Sequence, residues 1–298
     1  MSIPKQEQAK REMKWVTNLS IVVNLILVAV KLIVGIVTGS LAMIADCIHS
    51  LSDFTTDIAV LLGIYFGAKK PDDTHPYGHG RVETFVAGFI SLVLIIVGGG
   101  MIYYAGHDIT RQKVITPTFS LFAAAIASIV LKEALYQITK RVAIRTHSSA
   151  VYANAWHHRS DSLSSVAVLI GYISLAFGFK YGDSVAAMAV GLMIVWVGFS
   201  IIGDCIRELT EGAVDSESLR HINKIIADNG QIRQWHKLRS RSVGREIFLD
   251  LHILVDPALS ITDAHKISEN LESALDEQLS RPVNITIHIE PDIPELRE

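Results

Sequence analysis

The stretch Leu41–Ala68, LAMIADCIHSLSDFTTDIAVLLGIYFGA, is apolar over a length that can cross a bilayer, yet it carries four ionisable side chains. About 20 apolar residues cover the roughly 30 Å of hydrocarbon. An ionisable residue placed there costs about 2.5–3.5 kcal/mol on insertion scales, so it is expected to serve a function. Asp46, His49, Asp53 and Asp57 are spaced three, four and four residues apart. On a helix advancing about 100° per residue, they share one narrow face.

Outward from this stretch, further apolar windows predict an all-α membrane bundle of six helices: Trp15–Thr38, Leu41–Ala68, Glu83–Gly106, Phe119–Ile138, Val151–Phe179 and Asp183–Ile206. The first window is too long for a removed leader, contains Asn24 and Lys31, and is followed at once by the second across Thr38-Gly39-Ser40. The short connections on one side carry Lys5, Lys10, Arg11, Lys14, Lys69, Lys70, Arg81, Lys140, Arg141 and Arg145, against Arg111, Lys113 and Lys180 on the other. The positive-inside rule then puts both termini in the cytoplasm, in a cell (inner) membrane, with residues 1–14 as a cytoplasmic segment, 15–206 in the lipid bilayer and 207–298 as a cytoplasmic domain. Overall, 50% of residues are hydrophobic and 19% charged, and the net charge of −3 offers no basic surface for nucleic acid. Cys47 and Cys205 sit in apolar runs and read as packing residues.

Residues 207–298 are more polar and predict αββαβ. Helical periodicity covers Ser216–Asp228 and Ile261–Leu279, and strands are expected over Trp235–Ser242, Glu246–Val255 and Val283–Glu290. Ile247, Leu249, Leu251, Ile253 and Val255 alternate with other residues, as do Val283, Ile285, Ile287 and Ile289, so one sheet face is expected to pack on helices.

The fifth window repeats the pattern of the second, with His157 and Asp161 four residues apart. If the two helices face each other, His49, Asp53, His157 and Asp161 supply two imidazoles and two carboxylates. Such a tetrahedral N/O set suits zinc, with cadmium, cobalt or iron(II) open, whereas magnesium, calcium and manganese favour more oxygen ligands. A single pair is equally compatible with a hydrogen bond or proton relay; the same pair on two spans favours metal. Metal binding requires deprotonated His and Asp, so uptake expels protons and coupling to a proton gradient follows.

Three stretches together resemble the cation diffusion facilitator family: Ser40 to Asp53 (SLAMIADCIHSLSD), His75 to Glu83 (HPYGHGRVE) and Trp156 to Asp161 (WHHRSD). The resemblance covers essentially the whole chain and implies a homodimeric exporter of divalent cations, driven by proton antiport, with a ferredoxin-like metal-binding C-terminal domain. Carried over by position, its transport site falls on His49, Asp53, His157 and Asp161, and His at the first position of the second-span pair resembles zinc-type members. The family pattern further implies a loop site at Asp72, His75 and His79, and a cytoplasmic, binuclear cluster at His236, His252, His265, His288 and Glu290.

From the residues themselves, the loop is also a turn with solvated histidines, and a histidine on a sheet face is commonly a surface residue. Asp46 and Asp57 are expected either to line the ion path or to pair with polar groups such as Asn24 or Lys31. His107, His147, His158 and His221 read as surface or local packing. Ten glycines, among them Gly98 and Gly191, are expected to let helices approach closely. An intramembrane metallohydrolase is disfavoured: the sequence has no His-Glu-x-x-His, and four protein ligands leave no position for a catalytic water. A membrane-anchored metal sensor that binds ions without moving them stands as the alternative.

Overall fold

A computed structural model of the chain describes residues 3–38, 54, 56–110, 119–177, 179 and 181–297. Asp46, Cys47, His49 and Asp53 lie outside the described residues, as do Arg111, Lys113, Lys180 and the side chain of Lys31. The chain divides into two compact units, Lys10–Cys205, and Ile206–Glu298 together with Met1–Ala9.

The first unit is helical. Its elements are α1 (Ile3–Thr38), α2 (Thr56–Gly67), α3 (Arg81–Thr110), α4 (Phe119–Thr146), α5 (Ser149–Ala176) and α6 (Gly182–Leu209), the last running on into the second unit. Within α1, α3 and α6, the segments Glu7–Val30, Arg81–Ile109 and Ser184–Leu209 are long and apolar enough to cross a membrane. Helix α1 begins well before Trp15, because Met13 extends the buried stripe of Val16, Thr17, Ser20, Asn24 and Leu27 at helical spacing. Likewise α4 continues past Ile138, with Val142 and Ala143 buried while Arg141 and Arg145 stay outside.

The radial pattern is inverted relative to a water-soluble bundle. Thr17, Ser20 and Asn24 of α1 and Ser91 of α3 point inward, while Trp15, Val22, Ile26, Phe85, Phe89 and Ile96 point outward. Lipid supplies no hydrogen bonds, so polar side chains find partners inside and large apolar ones face the acyl chains. Where α3 meets α6, Gly98 and Gly191 face each other so closely that a Cβ added to either would lie 2.8 Å from the other's carbonyl oxygen. Only a residue without a side chain permits that approach. Helices α4 and α5 lie along one another, and α5 also packs on α3.

The second unit contains α7 (Ser216–Ala227), β1 (Gln234–Val243), β2 (Glu246–Val255), α8 (Ile261–Gln278), β3 (Val283–Pro291) and a short 3-10 turn, Pro294–Leu296. Strand order is β1-β2-β3, with β1 antiparallel and β3 parallel to β2, the parallel pair joined through α8. Both helices start on sequence-coded caps. Asp215 accepts from the backbone N–H groups of Glu217 and Ser218, and Ser260 accepts from that of Asp263. Ile247, Leu249, Leu251, Ile253 and Val255 form the inner face of β2 and pack on Ile222, Ile225 and Ile226 of α7 and Ile267, Leu271 and Leu275 of α8. Each such side chain contributes about 1.5–3 kcal/mol on burial. Arg281 fastens the hairpin end: it donates to the carbonyls of Gly244, Arg245 and Glu246 and to the Ser242 hydroxyl at 3.0–3.2 Å.

Candidate metal centres

The outer face of the small sheet gathers histidines into a row. In the ladder, His236 of β1 is paired with His252 of β2, which is paired with His288 of β3. Neighbouring rings lie 5.2 and 4.6 Å apart, centroid to centroid. Two residues beyond His288, on the same face, Glu290 reaches back along the row. Its Oε1 lies 2.8 Å from His252 Nδ1 and 3.5 Å from His288 Nε2, and its Oε2 is 3.0 Å from His236 Nε2. A register shift after His236, with Lys237 at φ 52°, ends the even alternation of β1 at this point.

Burial alone would raise the Glu290 pKa; the hydrogen bond from His252 and the charges of His252, His236 and His288 outweigh it and hold the carboxyl below its usual range. The ligand atoms of His236, His252 and Glu290 all lie within 4.8 Å of one another. Both ring nitrogens of His236 and Oε2 of Glu290 are buried without a hydrogen bond, although the two residues approach to 3.0 Å. Buried polar atoms of that kind call for a partner, and an N/N/O donor set at such spacing fits a metal ion, whose tetrahedral ligands stand about 3.4 Å apart. His265 is not in this group: it lies on α8, with its Nε2 3.5 Å from Glu269.

The connection between α2 and α3 brings together Asp72, His75 and His79, again with ligand atoms within 4.8 Å. Asp72 Oδ1 accepts from the Thr74 hydroxyl and from the backbone N–H groups of Thr74 and His75 at 2.7–2.9 Å. These bonds, the Thr74 hydroxyl foremost, lower the Asp72 pKa to about 2. Its Oδ2 is left facing His79 Nε2 at 3.6 Å, and the rings of His75 and His79 lie 4.3 Å apart. Gly78, at φ 80°, makes the turn that brings His79 back. Asp72 and His75 are open to solvent, so this is an accessible, weakly enclosed group.

In the membrane-type unit, His157 and Asp161 stand one turn apart on α5, His157 buried and Asp161 nearly so. The residue facing Asp161 is one that window-by-window reading passes over. Lys132 of α4, 3% exposed, donates to Asp161 Oδ2 at 2.7 Å. Lys132 lies well inside the fourth apolar window, which is the signal that could have singled it out.

Asp57 is buried among donors from two other helices. Ser20 and Asn24 of α1 and Asn154 of α5 donate to its carboxylate at 2.8–2.9 Å. His158 Nε2 lies 2.9 Å from the Ser20 hydroxyl and 3.9 Å from Asp57. The pairing expected with Asn24 is therefore present. His158 is fully buried in this cluster, and its spacing four residues after Asn154 on α5 was the available clue.

A helical membrane unit with ionisable groups inside it, joined to a small mixed-sheet domain that carries a histidine–carboxylate group, defines a multi-pass membrane protein of metal-handling type. The chain belongs to the cation diffusion facilitators, the cation efflux family. Residues 18–210 match the family's Cation efflux transmembrane domain, and residues 214–292 match the Cation efflux protein, cytoplasmic domain. It is 35% identical to a transporter of Methanocaldococcus jannaschii across 94% of this chain and 99% of that one. It is 35% identical to metal tolerance protein C1 of Arabidopsis thaliana, across 88% of this chain and 59% of the relative. The manganese efflux system protein MneP of Bacillus subtilis is 30% identical across 96% of this chain and 98% of its own.

Proposed function

We propose that the protein exports divalent transition-metal cations from the cytoplasm by proton antiport, acting as a carrier and not as an enzyme. The observation that carries the reading is the buried His157 with the nearly buried Asp161, one turn apart on α5 in a unit whose helices expose apolar side chains. With His49 and Asp53 of the second span they make a four-ligand transport site. In the cytoplasm-facing state the ion displaces protons from these groups, the six-helix bundle rocks, and protonation on the far side releases the ion. Gly98 and Gly191 supply a smooth crossing for such sliding.

Zinc is the expected cargo, because two imidazoles and two carboxylates match its preference for tetrahedral N/O ligands. Manganese is a second reading, favoured by the Bacillus subtilis relative named for manganese efflux. The distribution of Lys and Arg supports a location in a cell membrane with both termini on the cytoplasmic side. The ferredoxin-like cytoplasmic domain joins two copies into a homodimer. His236, His252, His288 and Glu290 would hold a resident metal there, tying all three strands together; His265 joins a binuclear cluster only if the second copy brings it in. Asp72, His75 and His79 offer an exposed group for arriving ions.

The test is flux into sealed vesicles of purified protein, with a metal-sensitive dye inside and an imposed pH gradient. Zinc or manganese movement that follows the gradient, and stops with His157→Ala or Asp161→Asn, is the expected result. Either variant moving metal at the wild-type rate refutes the site. Metal binding without flux would make the protein a sensor.

A further inference from the structure

The contact between Lys132 and Asp161 is unexpected for an ion site. An ammonium held 2.7 Å from a carboxylate oxygen, with 3% and 12% of the two side chains exposed, is a close and nearly dry ion pair. It lies between α4 and α5, in the part of the molecule where charges are costly to keep and are retained for a purpose. Two serines tie down the carboxylate-bearing turn: Ser164 and Ser165 donate to the Asp161 carbonyl at 2.8 and 3.1 Å, and Ser165 Oγ also lies 3.4 Å from the Ser128 hydroxyl of α4. Asp161 is thus held in place while its Oδ2 is occupied by a cation that belongs to the protein.

We infer that Lys132 is a tethered cation that stands in for the transported ion on Asp161 whenever the site is empty, and thereby sets how tightly the site holds its cargo. The inference rests on the reading of Asp161 as a transport ligand. A metal ion bound to Asp161 Oδ2 at about 2.0–2.2 Å would compete for that oxygen with the lysine nitrogen that already lies 2.7 Å from it. If the ion takes the other carboxylate oxygen instead, a dication and an ammonium are brought within a few ångströms in a low-dielectric site, and their repulsion weakens binding. Either way the fixed charge of Lys132 works against the ion.

That opposition has a use in a carrier. After release, protons on Asp53 and the histidines, together with Lys132 on Asp161, leave the returning site without uncompensated charge; without the lysine, Asp161 would either carry its charge through the bilayer or need a further proton. Lys132 acts as a positioning residue: it holds Asp161 between transport events and yields to the metal. The site therefore loads less tightly, and the empty carrier reorients more readily.

The experiment uses the full-length chain in sealed vesicles, with manganese and zinc tested separately as transported ions and KM and kcat measured for wild type, Lys132→Met, Lys132→Gln, Lys132→Arg and Asp161→Asn. Methionine keeps the length of the lysine stem without its charge, and arginine keeps the charge. The two neutral variants are expected to lower KM by about tenfold or more while kcat falls, because the ion binds better and the empty site returns more slowly. Lys132→Arg is expected to keep KM within about threefold of wild type. A lysine serving only to pack α4 against α5 would give unchanged or raised KM in the neutral variants, and that result overturns the proposal. Failure of both neutral variants to insert and purify as wild type does would assign the pair a structural role and overturn it equally. If Asp161→Asn transports with wild-type KM and kcat, it is the transport-site reading that fails; if Asp161→Asn is inactive and Lys132→Met keeps its wild-type KM, only the role of Lys132 fails.

Discussion

The three consecutive glycines of α3 should respond very differently to alanine. A Cβ at Gly98 would stand 2.8 Å from the Gly191 carbonyl oxygen, 2.9 Å from Val195 Cγ2 and 3.1 Å from the Val195 nitrogen, two of the three being backbone atoms of α6. Backbone cannot rotate away as a side-chain tip can, so α3 and α6 must separate by a few tenths of an ångström. A gap of about 0.5 Å already forfeits roughly a quarter of each dispersion contact along the crossing, and overpacking of this kind costs about 1–3 kcal/mol. At Gly99 and Gly100 nothing lies within 4 Å of the added methyl, so alanine there is expected to be neutral or, through its better helix propensity, slightly stabilising. Thermal unfolding of the detergent-purified protein, followed by intrinsic fluorescence, reads the difference directly. Gly98→Ala should lower the midpoint while Gly99→Ala and Gly100→Ala leave it within error. Gly191→Ala, which meets the Gly98 carbonyl at 2.8 Å, should match Gly98→Ala. A Gly98→Ala protein as stable as wild type, or a Gly99→Ala protein as damaged as Gly98→Ala, would refute the close crossing.

Three further outcomes are expected. Asp57→Asn turns an amide N–H toward the donors of Asn24, Asn154 and Ser20, which should cost about 2–3 kcal/mol of stability in the same unfolding assay; an unchanged midpoint would show that these bonds carry little. Glu290→Gln removes the charge that touches His236, His252 and His288 and should weaken zinc binding to the second unit by more than about 100-fold, read by competition with a chelating dye in a His157→Ala background. Asp72, lowered to about 2 from 3.8, stabilises its loop fully above pH 3.8 and loses that contribution as pH falls through 2. A carboxyl titration of Asp72 by NMR with its midpoint near 4 would mean that the Thr74 and His75 bonds do not form.

Much of the second unit was legible from residue order. The alternation over Ile247–Val255 and Val283–Ile289 assigned a buried and an outer face to two strands, and helical periodicity put two helices over Ser216–Asp228 and Ile261–Leu279, close to where they lie. His252, His288 and Glu290 alternate with those apolar residues and so fall on the outer face. What the alternation could not supply was the row itself. His236 reaches His252 only because β1 pairs antiparallel in one particular register and then shifts, and His288 joins through a parallel strand returned by α8. His265 shows the complementary limit: a histidine grouped with the others by family pattern stands in this chain beside Glu269.

In the membrane-type unit, periodicity placed Asp57 on one stripe and His157 with Asp161 on another, and nothing beyond that. A helical or strand period fixes which side of its own element a side chain occupies, since that depends on a few neighbouring residues and the backbone geometry. It does not say which element lies opposite. Ser20, Asn24 and Asn154 meet on Asp57 from two other helices, and Lys132 meets Asp161 from a third. Sequence alone therefore determined that charges are buried in apolar spans and on which faces they lie. Tertiary packing decided which carboxylate is held by neutral amides and hydroxyls and which by a lysine, because partners separated by 29 to 97 residues are brought together only when helices choose their neighbours.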